Sequence, residues 1–192
     1  YNNIRMTLLR NGFLDGSKPK GTTPTVLIPG DGTTIWNLTG NVTAGLGYIQ
    51  SGSSQGWNKG GSFIGIGSSQ DFSLEFTFSS TVGVLSDTTG IIGISETDSS
   101  GSYTDIMYGW QFNSYNSYCD LRVYETNGQQ GTIFGAASID DVFKIERVSG
   151  TVRYYWNGSL IYTSLVTSSN PLIFDSAIYR KLKAYDITLT LN

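Results

Sequence analysis

The stretch FKIERVSGTVRYYWNGSLIYTS, residues 143–164, constrains the fold of this chain more than any other. It reads as three alternating runs joined by the dipeptides Ser149-Gly150 and Asn157-Gly158. Asn-Gly is the strongest short-range signal for a two-residue type I′ turn, because both central residues need positive φ. Such a turn pairs Trp156 with Ser159, Tyr155 with Leu160, Tyr154 with Ile161 and Arg153 with Tyr162. A two-residue turn at Ser149-Gly150 pairs Arg147 with Val152, Glu146 with Arg153, Ile145 with Tyr154 and Lys144 with Tyr155. Side chains alternate across a strand, so both hairpins sort residues onto the same two faces. One carries Phe143, Ile145, Val152, Tyr154, Trp156 and Ile161 and is the expected core face; the other carries Lys144, Glu146, Arg153, Tyr155, Leu160 and Tyr162. A slip of one residue would destroy this separation.

The sorting extends upstream. In DIMYGWQF, Ile106, Tyr108, Trp110 and Phe112 share one face, with Met107, Gly109 and Gln111 on the other. In DLRVYE, Leu121 and Val123 oppose Arg122 and Tyr124. If all these strands lie in one sheet, its wet face presents Gln111, Arg122, Tyr124, Lys144, Glu146, Arg153, Tyr155 and Tyr162. Flat rings stack on sugar C–H faces and charged forks bond hydroxyls, so such a face suits carbohydrate. An ordinary solvated sheet face is the alternative. Trp57, in the loop GSSQGWNKGG, is a further candidate contact or a packing residue.

Other short runs fall near 4–9, 25–28, 34–38, 46–50, 62–66, 72–79, 90–95, 105–113, 120–126, 132–136, 171–174 and 184–191, separated by Gly, Ser, Asn and Asp. No long run keeps a helical period, so helix is expected in under about a tenth of residues, against the usual third. Segments 15–24 and 51–61 read as long loops. Many short strands of this kind indicate an all-β, two-sheet antiparallel sandwich, and the 192 residues are expected to form a single domain.

Composition narrows the function. Charged residues are 14% and the net charge is −3, with no basic stripe of the kind a nucleic-acid partner requires. No apolar run approaches the roughly 18 residues that membrane insertion needs. The chain starts at Tyr1 without methionine, as expected of a mature product or an excised domain. The one cysteine, Cys119, forbids an internal disulfide and reads as a packed thiol. The absence of histidine excludes a Ser-His-Asp triad and zinc sites built on histidine. Sequons at Asn37, Asn41 and Asn157 do not establish secretion in a chain so rich in Ser and Thr. In SETDSSGSYTD, Glu96, Asp98, Ser99 and Asp105 offer oxygen ligands for a candidate calcium ion, the alternative being a polar loop.

The ordered pieces GWNKGGSF, DFSLEFTF, DIMYGWQF…DLRVYETNG and DDVFKIERVSGTVRYYWNGSLIYTS…NPLIFDSAIY resemble concanavalin A-like (lectin/glucanase, laminin-G-like) jelly-roll domains over about residues 36–191. Domains of this kind occur on bacterial surface proteins and on viral fibres or spikes. The resemblance implies two packed antiparallel sheets, often with a carbohydrate site. Residues 1–35 fall outside it and supply either an edge strand or a connection to a preceding domain. Glucanases of this fold carry Glu-x-Asp-x-x-Glu on one strand; here the nearest match, Glu96 and Asp98, has Gly101 in place of the final acid. The expected function is therefore a non-catalytic domain binding glycans or a glycosylated receptor through Tyr124, Arg122, Arg153, Tyr155, Tyr162 and Trp57, with Glu96, Asp98 and Asp105 as the calcium candidates. It would act at a cell or virion surface, as a homo-oligomer or part of a larger surface protein. The alternatives are a structural or assembly module with protein partners, and a divergent glycoside hydrolase.

Overall fold

The computed structural model describes residues 24–192 apart from Ser99, Asn116 and Asn127, so the strand expected over 4–9 lies outside the described residues. Among the described residues fifteen strands follow one another: β1 (Thr25–Leu27), β2 (Asn37–Thr39), β3 (Val42–Gly45), β4 (Tyr48–Ser51), β5 (Gly60–Ile66), β6 (Phe72–Ser80), β7 (Thr89–Ser95), β8 (Ile106–Tyr115), β9 (Tyr118–Glu125), β10 (Gly128–Ala137), β11 (Val142–Val148), β12 (Thr151–Trp156), β13 (Ser159–Thr163), β14 (Leu172–Arg180) and β15 (Leu182–Leu191). Helix among the described residues amounts to two single 3-10 turns, Leu85–Asp87 and Tyr103–Asp105.

The strands form two antiparallel sheets. The back sheet runs β13-β12-β11-β6-β15-β4-β3, with β1 also pairing on β15; the front sheet runs β10-β9-β8-β7-β14-β5-β2. Their inner faces meet in one apolar cluster. Phe78 from the back sheet stacks on Phe112 from the front at 4.2 Å, and Trp110 meets Tyr154 edge-on at 5.5 Å. Such pairs add about 0.5–1.5 kcal/mol beyond the area they bury. Cys119 is fully buried, and burial pushes its thiol up to about 12, so it is inert packing.

The two turns of the 143–164 meander form as expected. Ser149 and Gly150 have φ of 50° and 78°, Asn157 and Gly158 47° and 79°. The β11–β12 register is the expected one, with Glu146 opposite Arg153. Between β12 and β13 it slips after Tyr155–Leu160, so that Tyr154 faces Tyr162 instead of Ile161. The extra residue turns Tyr162 toward the core, 5.8 Å from the Tyr154 ring, and removes it from the wet face. A similar irregularity opens β8: Ser95 pairs with Ile106 while Ile94 pairs with Tyr108. Met107 consequently packs on the core and Ile106 lies on the outside of the front sheet, the reverse of the expected assignment. Trp156 is half-buried at the core's rim, stacked on Phe143, where a fully buried ring was expected.

Arg147 is the largest departure from a greasy interior. It is fully buried, and its guanidinium donates to the carbonyls of Gly67 (3.0 Å), Gln70 (2.6 and 3.0 Å), Ser168 (3.3 Å) and Asn170 (3.1 Å). Its rigid five-donor fork is what allows one side chain to hold two loops.

Candidate functional site

The front sheet's outer face is built from two cross-strand rows. One reads Asp175–Gly93–Gly109–Tyr124, the next Ala177–Ile91–Gln111–Arg122. The paired glycines are required by space: a Cβ on Gly93 would lie 2.0 Å from the Tyr108 carbonyl oxygen, and one on Gly109 would lie 2.6 Å from Ile91 Cγ2. Ile91, Ile106, Ala177 and Tyr124 make a small buried apolar floor outside the main core.

Two loops cover this floor. Trp57, from the loop before β5, packs against Tyr103 at 4.9 Å and Tyr179 at 5.3 Å; Tyr103 meets Tyr124 edge-on at 5.9 Å. The loop is fixed from both ends. Tyr179 OH donates to Gln55 Oε1 (3.0 Å), and the Lys59 ammonium, 4% exposed, donates to the Ser54 carbonyl. Gly101 lets the second loop press against Asn58, since a Cβ there would sit 2.9 Å from Asn58 backbone. Trp57 is thus partly packed, and its ring forms a wall of the cleft.

Between these rings lies a cleft of about 590 Å³, walled by Trp57, Tyr103, Gln111, Tyr124 and Thr126. Gln111 is 6% exposed, and its Oε1 accepts no hydrogen bond. A buried amide oxygen without a donor costs about 1–3 kcal/mol, and this one is closed off from the cleft above it. An aromatic-walled pocket with a convergent polar group is the ordinary form of a small-molecule site.

Two further clefts adjoin the first. One of about 230 Å³ shares Thr104 and Thr126 with it and is lined by Glu96, Thr97 and Asp105. The next, about 720 Å³, shares Glu96 and Thr97 and reaches Asn37, Ser62 and Asp98. Each carboxylate already engages the chain's own donors. Asp98 accepts from Asn37 Nδ2 (3.0 Å) and Ser62 Oγ, Glu96 from Asn170 Nδ2 (2.8 Å), and Asp105 from the Ser100 amide (3.1 Å). Among the described residues no group of three acidic, histidine or cysteine side chains is placed to hold a metal ion. Ser99 lies outside the described residues. Nearby Asp175 is 2% exposed and bonded to Ser95 Oγ at 2.5 Å; burial pushes its carboxyl up to about 7.

The structure separates the other expected site residues. Arg153 and Tyr155 lie on the back sheet, whereas Tyr124 and Arg122 lie on the front sheet. The single wet face expected to join them does not exist, because their strands belong to opposite sheets. Tyr155 OH donates to Glu146, and Lys144 sits 3.9 Å from its ring centroid, closing that surface in on itself. Arg122 pairs with Asp120 at 3.4 Å. Glu96 and Asp98 follow β7 in a loop, so they do not share a strand face as glucanase acids do. Tyr103, Tyr179 and Asp175 were missed. The signal that pointed to them was glycine inside apolar strands, at 93 and 109, which marks a site of close backbone approach.

No family profile and no curated protein sequence matches the chain. Solved structures do. It superposes on a polysaccharide lyase family 18 domain with TM-score 0.52 and 11% identity, covering 84% of this chain and 96% of that one. The VIP36 exoplasmic/lumenal domain in its Ca²⁺/Man3GlcNAc-bound form gives TM-score 0.54 and 10% identity, over 81% and 82%. The Emp46p carbohydrate recognition domain, potassium-bound, gives 0.51 and 14%, over 81% and 85%. The fold is concanavalin A-like. At these identities the likeness speaks for the concanavalin A-like sandwich alone, and recognition domains and lyases both stand among its neighbours.

Proposed function

We propose that this chain is a non-catalytic carbohydrate-recognition domain whose sugar lies in the cleft between Trp57, Tyr103 and Tyr124. The observation that carries the reading is the aromatic wall: Trp57, Tyr103 and Tyr124 surround a cleft of about 590 Å³ on the outer face of the front sheet. The rings supply flat apolar surface for a sugar's C–H face, and Thr104, Gln111 and Thr126 place polar side chains in the lining for its hydroxyls. The Man3GlcNAc-bound VIP36 domain and the Emp46p carbohydrate recognition domain, both of the same fold, support it. The non-catalytic part rests on Glu96 and Asp98 standing in a loop, with glycine at 101. Affinity per site is expected at about millimolar to high micromolar, as for a shallow wet cleft. Useful avidity then needs several copies, which fits display on a cell or virion surface.

The test is a glycan array on a multivalent form, followed by titration of a hit against Gln111→Ala. Removing an unsatisfied buried amide should leave the melting temperature unchanged or higher while weakening binding about tenfold, or about 1.4 kcal/mol. The bound oligosaccharide should be recovered uncleaved. Unchanged affinity in Gln111→Ala would move the site elsewhere. A multivalent form that binds no glycan would leave an assembly module with protein partners.

A further inference from the structure

We infer that a proton on Asp175 seats the loop carrying Tyr103 on the front sheet, so that the aromatic cleft is assembled under acidic conditions and loosened above neutrality. This gives the proposed sugar site a regulation, and its consequence for binding rests on the carbohydrate reading.

The coupling is geometric. Asp175 in β14 pairs with Gly93 of β7, which pairs with Gly109 of β8, which pairs with Tyr124 of β9. The two glycines leave a furrow between the Asp175 and Tyr124 side chains. An acid on the outer face of a sheet is ordinarily wet, yet Asp175 is 2% exposed. What covers it is the segment that joins β7 to β8. At one end of that segment Asp98 accepts from Asn37 Nδ2 of β2 (3.0 Å) and from Ser62 Oγ of β5. Toward the other end Tyr103 packs on Tyr124 of β9, on Trp57, and on the floor that Ile91 of β7 and Ala177 of β14 form. The sheet order β9-β8-β7-β14-β5-β2 puts these anchors on either side of Asp175. The segment therefore crosses over the carboxyl, and seating Tyr103 in the cleft wall goes together with burying Asp175.

Charge makes that burial conditional. Asp175 Oδ2 accepts from Ser95 Oγ of β7 at 2.5 Å, and the register with β5 brings Ser62 alongside; both are neutral hydroxyls. The charged groups that act on it, Asp98 and Asp105 of the crossing segment, share its sign. Glu96, at the root of the segment, is bonded to Asn170, and Lys59, before β5, turns its ammonium to the Ser54 carbonyl. Burial pushes the Asp175 carboxyl up to about 7, against the Ser95 bond and with Asp98 and Asp105 adding to the rise. A seated segment holds the proton more tightly than an unseated one, where the carboxyl is wet, so proton and seating favour each other. Seating is supported while the proton is bound and loses that support as pH rises through about 7.

The experiment follows hydrogen exchange of the 192-residue chain between about pH 5.5 and about pH 8.5, with rates converted to protection factors. The peptide read is 100–105, where the Ser100 amide bonds to Asp105 and the Asp105 amide to the Ser102 carbonyl. Its protection should fall at least about tenfold across that interval. The fall should be unaffected by about 0.5 M urea, since a local opening exposes little surface. Asp175→Asn, which cannot ionise, should abolish the step. Ser95→Ala removes a hydroxyl that favours the ionised carboxyl and should move the step to higher pH. A glycan array on a multivalent form reads the consequence: hits should weaken from the lower to the higher pH in wild type, by no more than protection falls, and stay equal in Asp175→Asn. No step in wild type, or the same step in Asp175→Asn, overturns the inference whatever the array shows. Hits of equal strength at both pH values also overturn it and leave the carbohydrate reading intact. A step confined to wild type, with no hit at either pH, upholds the role of the proton and overturns the carbohydrate reading.

Discussion

Asp175 shows how a single residue couples stability to pH. Its carboxyl is 2% exposed, and burial holds its pKa at about 7, well above the ordinary 3.8. The folded protein therefore binds this proton more tightly than the unfolded chain, so the group's contribution to stability is fully present below about pH 4 and is lost as pH rises through about 7. Every tenfold difference in proton affinity between the folded and unfolded chain corresponds to about 1.4 kcal/mol. Asp175→Asn should raise the melting temperature at pH 8, and the gain should shrink as pH is lowered to 5; melting curves at the two values test this, and a gain that does not depend on pH would refute the assignment. Residue-scale features of this kind were the least legible in the sequence. An alternating pattern places Asp175 and Gln111 on an outer face, but nothing local says that the loops carrying Trp57 and Tyr103 will roof it. Arg147 was hidden for the same reason, because the carbonyls that surround it come from residues 67–70 and 168–170.

Strands and turns were read more faithfully, because their signals are local. Both type I′ turns in the 143–164 meander follow from residues that tolerate positive φ. At Gly158 an added Cβ would meet nothing within 4 Å, so Gly158→Ala should cost only the left-handed backbone penalty, roughly 1–2 kcal/mol. Asn157→Ala should cost more. Its side chain accepts from the Val142 amide at 2.9 Å and donates to Asp141 at 2.8 Å, and those bonds are lost as well. Denaturant midpoints of the two variants check the order; a larger loss for Gly158→Ala would contradict it. Misreadings arose where a strand departs from strict alternation. The extra residue at Ile161 turned Tyr162 inward, and the one at Met107 exchanged it with Ile106. β3 was missed among turn-forming residues, and β14 was expected to end at 174 but runs on to Arg180. A turn at Lys181, with φ of 51°, then leads straight into β15.

For the whole molecule, a period of two tells which face of a strand is buried but not which sheet it joins. That is why the meander and the Tyr124 strand were merged into one surface, although the sandwich holds them on opposite sheets. The two outer faces should act independently. Arg153→Ala and Tyr155→Ala, singly or together, should leave sugar affinity within about twofold of wild type, since neither lines the aromatic cleft; a larger loss in titration would place ligand on the back sheet. One connection nonetheless crosses the interior. Arg147 grips the Ser168 and Asn170 carbonyls, and the side chains of those two residues contact Glu96, with Asn170 donating at 2.8 Å. A cation in the core thereby sets the position of an acid that lines two of the surface clefts. Those bonds fix the Glu96 side chain, so little conformational entropy remains to be lost there. The position of Glu96 is consequently a property of the whole sandwich, inherited from the packing of β11, a strand that lines none of the three clefts.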